Sequence, residues 1–342
     1  MAITVGLMGF GRIGRNLFRL LYRSQDIRIG AISDIADHEA LTYLVRYDTT
    51  FGRFPDQVTY KDGQLYTWGR QVPLLSGKDP GDVRWSDYGV DYVVEATGRA
   101  RSMAESRKHL DAGAQRVLLC TPPSEHPDAI VLYGINHEQL KLEQRIISNG
   151  SCTAHCAAPV LKILDQAFGI ERAHLTAVHA YTSVNRLADV PADEFRNSRA
   201  AAENIVPSET NAGTVLEEVI PEIKGKIRAS SLRVPVQNGS IVDFTVWFEN
   251  RVSKDGINEV MRTAASGPYR GILEYQEDPI VSSDVIKNPY SSTFDSLATM
   301  VMDPLLGKVI AWFDNSWGYS HRVVDLLRYL AVRDGKLEEV SA

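Results

Sequence analysis

Ile3-Thr4-Val5-Gly6-Leu7-Met8-Gly9-Phe10-Gly11-Arg12-Ile13-Gly14 decides the fold. The apolar run over residues 3–8 reads as a buried strand, and the G-x-G-x-x-G that follows opens a helix over 11–22. Those glycines allow a tight turn, close backbone approach to a pyrophosphate, and tight helix–strand packing. An anion would then sit on unpaired N–H groups at the positive end of the helix. Gly9, Gly11, Arg12, Ile13 and Gly14 are therefore candidate cofactor contacts. Alone, the motif could be a glycine-rich turn that binds nothing. Asp34, 20 residues beyond Gly14 and at the end of the next strand, favours a dinucleotide, because its carboxylate can accept from the adenosine ribose hydroxyls. A carboxylate there would repel a 2′-phosphate, so NAD is expected over NADP.

Outward from this motif, strands are expected at 27–33, 92–95, 116–120, 130–133 and 145–148, with helices at 38–47 and 102–110. Residues 59–75 alternate around Asp62-Gly63, a hairpin signal. Strand–helix alternation implies a mostly parallel, doubly wound, Rossmann-like sheet over residues 1–150. Gly98 and Cys120 end two of these strands and are candidates to lie under the cofactor; a turn glycine and a buried thiol are the competing readings. After Asn149-Gly150 the pattern changes to a helix over 151–168 and longer strands at 174–181, 230–236, 241–249, 297–302 and 308–313. This predicts a second, α+β domain over 151–316 with a mainly antiparallel sheet. Residues 185–210 read as a long loop, uncommon unless functional or used in assembly. A final helix, about 317–336, is expected to complete the first domain.

The 342 residues suit two domains, and 37 basic against 43 acidic residues give a net charge of −6. That balance offers no general attraction for nucleic acid or an anionic membrane, so any bound anion needs a local site. No apolar run is long enough to span a bilayer, and the first residues read as a strand rather than a secretory leader. The 3 cysteines, Cys120, Cys152 and Cys156, lack paired metal-ligand spacing. They suit a reducing cytoplasm and a reactive thiol, with no metal centre expected.

Cys152 opens the helix after residue 150. A helix N-terminus lends a thiol thiolate character, and its free N–H groups could stabilise an oxyanion. A merely buried cysteine is an equally good reading from spacing alone, and Cys156, one turn on, reads as structural. Asn149-Gly150-Ser151-Cys152-Thr153-Ala154-His155-Cys156 resembles the S-N-A-S-C-T-T-N-C signature of the glyceraldehyde-3-phosphate dehydrogenase family. Residues 9–15, 178–182, 199–207, 231–235 and 312–320 extend the resemblance along essentially the whole chain.

The resemblance implies an NAD-dependent enzyme that oxidises and phosphorylates glyceraldehyde 3-phosphate reversibly, as in glycolysis and gluconeogenesis. Cys152 matches the nucleophile and His179 the acid–base partner; an imidazolium beside the thiol would lower its pKa. Thr182 and Arg233 match the holders of the substrate phosphate. Ser151, Thr153 and Thr210 match those of inorganic phosphate, with Arg199 a neighbour. Asn315 matches the residue orienting the nicotinamide amide, and Tyr319 a ring near it, although a core tyrosine reads almost as well. A cytoplasmic homotetramer is implied, with the 185–210 loop crossing toward a neighbouring cofactor site. His155, Val184, Asn211 and Ser316 depart from the usual Asn, Asp, Gly and Glu. An erythrose-4-phosphate dehydrogenase, or a non-catalytic scaffold of this family, are the alternatives.

Overall fold

The computed structural model describes residues 2–338. The chain divides into two compact units. One holds residues up to Tyr133, His137–Ser151 and the chain from Ser320 on; the other holds Gly134–Asn136 and Cys152–Tyr319.

The first unit is built on β1 (Ile3–Met8), α1 (Arg12–Leu21), β2 (Ile27–Ser33), α2 (His38–Arg46), β3 (Val58–Lys61), β4 (Gln64–Thr67) and β5 (Arg70–Leu75). It continues through β6 (Tyr92–Glu95), α3 (Met103–Asp111), β7 (Arg116–Leu119), β8 (Ala129–Ile130) and β9 (Ile146–Ser148). The sheet order is β8-β9-β7-β6-β1-β2-β5-β4-β3. From β8 to β5 every pairing is parallel, and β4 and β3 add antiparallel at one edge. This is the doubly wound sheet expected. The chain works outward from β1 to one side and then returns to place β6 on the other. The topological switch point therefore lies between β1 and β6, where a crevice opens beyond the carboxyl ends of the strands. Strands β1 and β6 are wholly buried, which explains why they are mostly apolar; Thr4 and Glu95 are the exceptions.

The 59–75 hairpin proves to be a three-strand meander. Asp62-Gly63 turns with both residues at positive φ (50° and 74°), and Trp68-Gly69 repeats this at 47° and 70°. The second turn was hidden because tryptophan rarely takes that conformation.

The second unit runs α4 (Cys152–Phe168), β10 (Ile170–Ala180), β11 (Val206–Ser208), α5 (Ala212–Val219), β12 (Ile227–Val234), β13 (Ser240–Phe248) and α6 (Lys254–Ser266). Then come β14 (Leu273–Gln276), β15 (Ser292–Asp295), β16 (Met300–Asp303) and β17 (Leu306–Phe313). Its sheet, ordered β11-β12-β10-β13-β17-β15-β14 with β16 on β17, is mainly antiparallel as expected. Two pairs, β10 with β12 and β14 with β15, are parallel. Of the expected strand over 297–302 only residues 300–302 are strand, as part of β16, and β15 lies ahead of it, at residues that were not expected to be strand. Asp295 Oδ1 accepts from the N–H groups of Leu297 and Ala298, folding those residues into a turn. The 185–210 segment is not wholly irregular, since β11 pairs along β12 and a 3-10 turn forms at Phe195–Ser198. Helix α6 went unseen, although Ser253 caps it by accepting from Gly256 N–H at 3.0 Å.

A last helix, α7 (Trp317–Arg333), contains the boundary between the units. Within the first unit its later turns are tied down by Arg328 on Asp26 (2.6 Å), while Asp334, just beyond it, receives Arg116 (2.6 Å) and the hydroxyl of Tyr92 (2.6 Å).

Candidate active site

In the first unit the three glycines of the motif do different work. Gly9 has φ 97°, and a Cβ there would fall 2.6 Å from the backbone of Ala96 and Thr97. At Gly14 a Cβ would stand 2.2 Å from the Gly9 carbonyl oxygen. These two serve turn and packing. Gly11 is different: it caps α1 at φ −70°, and a Cβ would meet nothing within 4 Å. Glycine serves as an N-cap there, and the open space beside it leaves the backbone approachable from outside. The N–H groups of Arg12 and Ile13 begin α1 and have no acceptor within a helix. The Arg12 side chain is held elsewhere, its Nη1 donating to both carboxylate oxygens of Asp48 at 2.9 and 2.8 Å, so its backbone is what it can offer here.

Asp34 accepts from Phe10 N–H at 2.7 Å through Oδ2 and from Ala36 N–H at 2.9 Å through Oδ1. It braces the glycine turn while keeping lone pairs for further donors, since a carboxylate has about four such positions. Gly98 lies exposed past β6 at φ 77° with open space where a Cβ would go. Cys120 follows β7, its N–H donating to the Glu95 carbonyl at 3.0 Å. N–H groups at a helix start, an open glycine and a carboxylate with lone pairs to spare fit a dinucleotide.

In the second unit Cys152 is the first residue of α4, and its Sγ lies 3.4 Å from His179 Nε2. His179 Nδ1 is 2.7 Å from the Ala180 carbonyl, which can only accept. Nδ1 therefore carries the proton, and Nε2 presents a lone pair to the thiol. Parallel pairing of β10 with β12 sets Arg233 beside His179, and Arg233 Nη1 also donates to the Ala180 carbonyl, at 3.3 Å. Burial and the Arg233 charge push His179 down to about 3. Burial pushes the Cys152 thiol up, against the opposing pull of Arg233 and the hydrogen bonds from Thr153. Both directions weigh toward the uncharged thiol and imidazole over an ion pair. The first physical reason is burial, and the second, on the ring, is the half-buried cation of Arg233, which opposes another positive charge there.

The Ala180 peptide joins further groups. Its N–H donates to Ser240 Oγ at 3.0 Å, and Ser240 Oγ–H reaches Asn315 Oδ1 at 3.5 Å. Asn315 thereby accepts through oxygen and keeps its amide N–H groups to donate. Neither Ser240 nor the Ala180 carbonyl was among the expected site residues; the small polar residue opening the alternating 240–248 strand was the available signal. Asp314 was missed too. It accepts from Ser316 and Trp317 N–H at 2.8 and 2.7 Å at the start of α7, and from Asn238 at 2.9 Å.

Thr182 pairs through its N–H (2.9 Å) and hydroxyl (3.3 Å) with Asn185 Oδ1. Thr210 Oγ1 accepts from Ala212 N–H at 3.2 Å ahead of α5. Arg199 holds the exposed Asp189 at 3.1 Å on the 185–210 segment. Tyr319 is buried, its ring edge-on to the buried ring of His155 at 5.7 Å, which matches the core reading. Val184 is 73% exposed and offers no polar atom from its side chain. Asn211 has φ −93°, which needs no glycine, and Ser316 donates its hydroxyl to Asp314 at 3.2 Å. Among the described residues no cluster of potential ligands could hold a metal, and no helix is long and apolar enough to cross a membrane.

Comparison with known proteins adds the family. Residues 3–103 match the model for the glyceraldehyde 3-phosphate dehydrogenase NAD binding domain, and 151–315 that for the C-terminal domain of the same enzyme. The chain is 41% identical to a glyceraldehyde-3-phosphate dehydrogenase of Geobacillus stearothermophilus over 97% of its own length and 99% of that relative's. It is 44% identical to glyceraldehyde-3-phosphate dehydrogenase 2 of Streptomyces avermitilis, over 95% of this chain and 98% of the relative. A Mycobacterium bovis glyceraldehyde-3-phosphate dehydrogenase is 43% identical over 96% and 98% respectively.

Proposed function

The chain belongs to the glyceraldehyde-3-phosphate dehydrogenase family, and on that premise we propose how its own residues carry out NAD-dependent oxidation and phosphorylation of glyceraldehyde 3-phosphate. His179 Nε2 takes the thiol proton as the Cys152 sulfur attacks the aldehyde carbon, and returns it to the new oxyanion, giving a hemithioacetal. His179 then removes that hydroxyl proton while the carbon gives up hydride. NAD, when bound, supplies the nicotinamide that accepts hydride. The resulting thioester is attacked by inorganic phosphate; the carbon–sulfur bond breaks, and the proton held on His179 returns to the departing sulfur. The product is 1,3-bisphosphoglycerate. A neutral imidazole with its lone pair on the sulfur is the form this sequence requires at the start.

Arg233, with Thr182, is assigned to the substrate's phosphate. Ser151, Thr153 and Thr210 are assigned to inorganic phosphate, and Arg199 to its surroundings. Gly9, Gly11, Arg12, Ile13, Gly14, Asp34, Gly98 and Cys120 are assigned to NAD, and Asn315 with Tyr319 to its nicotinamide end. A cytoplasmic homotetramer belongs to this reading. Exposed apolar side chains on the 185–210 segment, Phe195 (88%), Ile205 (67%) and Leu187 (64%), support burial against another copy.

The observation that carries the reading is the 3.4 Å approach of Cys152 Sγ to the unprotonated nitrogen of His179. Absorbance of reduced nicotinamide tests it. Glyceraldehyde 3-phosphate should be oxidised in a phosphate-dependent way, and Cys152→Ser should abolish the reaction. Faster, phosphate-independent oxidation of erythrose 4-phosphate would replace the substrate. Absence of hydride transfer with either aldehyde would overturn the reading.

A further inference from the structure

Glu95 ends β6, on the crevice side of the switch point, and is 2% exposed. A buried carboxylate needs donors, and here they come from three parts of the first unit. Oε1 accepts from Thr97 N–H at 3.1 Å and from the Thr97 hydroxyl. Oε2 faces His109 Nε2 of α3 at 3.3 Å and Arg101 Nε at 3.4 Å. His109 (1% exposed) is fixed in turn by Trp85 (0% exposed), whose indole N–H lies 3.0 Å from His109 Nδ1. An indole N–H can only donate, so Nδ1 accepts and Nε2–H points at Glu95. In the linked series Trp85, His109, Glu95 and Thr97, Glu95 is the shared acceptor: it receives from His109, itself held by Trp85, on one side and from Thr97 on the other.

Its last member touches the glycine turn. The backbone of Ala96 and Thr97 is what a Cβ on Gly9 would strike, and Ala96 N–H donates to Met8 O at 2.7 Å. Gly98, at positive φ, follows at once. The carboxylate's charge is matched by Arg101 (3% exposed), which also faces Asp79 at 3.4 Å and Glu105 at 3.6 Å. Burial pushes the Glu95 carboxyl up, but hydrogen bonds from His109 and Thr97 outweigh it and hold it below the usual glutamate range.

We propose that Trp85, His109 and Glu95 are positioning residues for the dinucleotide, setting the Thr97–Gly98 wall of its crevice through directed hydrogen bonds. None of them need touch the cofactor. This rests on the assignment of Gly98 to NAD. The polarity of the chain is what makes it informative: each group has one available role, so removing a donor at the far end leaves Glu95 able to swing with Thr97 attached. Trp85→Phe deletes the indole N–H and keeps an aromatic ring in the core, though a smaller one, which the melting temperature registers. His109→Leu removes both roles of the imidazole, whereas His109→Gln keeps a donor for Glu95.

The experiment measures the NAD dissociation constant by calorimetry, well below unfolding, together with kcat at saturating NAD and the melting temperature. Trp85→Phe and His109→Leu should raise the dissociation constant about tenfold with kcat within about twofold of wild type, and His109→Gln should recover most of the loss. Unchanged NAD affinity in all three variants, with only melting affected, would make the chain purely structural and overturn the proposal. So would an affinity loss that Gln fails to rescue. Gly98→Val separates the two layers: if it leaves NAD binding intact, the assignment of Gly98 itself fails.

Discussion

Gly11→Ala and Gly14→Ala make a matched pair, one methyl each, three residues apart in the same turn. At Gly14 the added carbon would stand 2.2 Å from the Gly9 carbonyl oxygen and 3.1 Å from its carbon. Backbone must move to admit it, an overpacking cost of about 1–3 kcal/mol. At Gly11 the methyl meets nothing within 4 Å and φ is −70°, which alanine adopts freely. Alanine is a poorer N-cap than glycine by roughly 0.5–1 kcal/mol, and the lower chain entropy of unfolded alanine, about 0.4–1 kcal/mol, offsets most of that. Unfolding free energy without NAD should therefore stay within about 0.5 kcal/mol of wild type for Gly11→Ala. Binding should divide the other way, because the methyl occupies the space a pyrophosphate needs to reach the N–H groups of α1. Losing one such charge-assisted hydrogen bond, about 1.5–3 kcal/mol, weakens NAD roughly 10- to 150-fold. Urea unfolding and calorimetric NAD titration measure both quantities on the same samples. Unchanged NAD affinity in Gly11→Ala, or a stability loss equal to that of Gly14→Ala, would refute the division of labour among the glycines.

Iodoacetamide should label Cys152 well ahead of Cys120 and of Cys156, which is fully buried, with activity lost in parallel; because burial holds the Cys152 thiol up, the rate should climb with pH. Full activity after labelling of Cys152, seen by mass spectrometry, would remove it from the mechanism. Arg233→Ala should lower kcat/KM for glyceraldehyde 3-phosphate about ten- to a hundredfold and leave unphosphorylated glyceraldehyde nearly unaffected; an equal fall for both would assign Arg233 to the fold. Acid should destabilise the protein through its buried imidazoles. His179 titrates near 3 when folded against 6.5 when unfolded, so the unfolded state binds the extra proton. Stability is intact above about pH 6.5 and falls as pH drops toward 3, by about 2 kcal/mol at pH 5 from this residue. A His179→Gln variant with an unchanged stability–pH slope over that window would contradict the burial argument.

The parts of this molecule legible in its sequence are those written by side chains close together in the chain. The glycine turn, Asp34 after the next strand and the largely apolar β1 and β6 carry their meaning locally, because backbone conformation and burial are local demands. The mainly antiparallel second sheet was readable from alternation, as in the 240–248 strand, whose burial alternates throughout. What stayed hidden depends on backbone atoms or distant pairs. The Ala180 carbonyl fixes the tautomer of His179 and receives Arg233, yet a carbonyl has no letter of its own. Trp85 and His109, 24 residues apart, and His109 and Glu95, 14 apart, look like ordinary core residues until the sheet brings them together. The same limit explains the protonation state. Residue types suggest a thiolate beside an imidazolium, but which ion forms depends on the charge nearby and the water excluded. Arg233 is adjacent to His179 only through the pairing of β10 with β12. A guanidinium there penalises an imidazolium and favours a thiolate, so the cost of ionising the pair is shared unequally: sulfur gains from the cation that the ring must resist. The proton that leaves Cys152 as the sulfur attacks the aldehyde is therefore helped off the thiol and resisted on the ring by the same guanidinium, so that one cation sets both halves of the transfer.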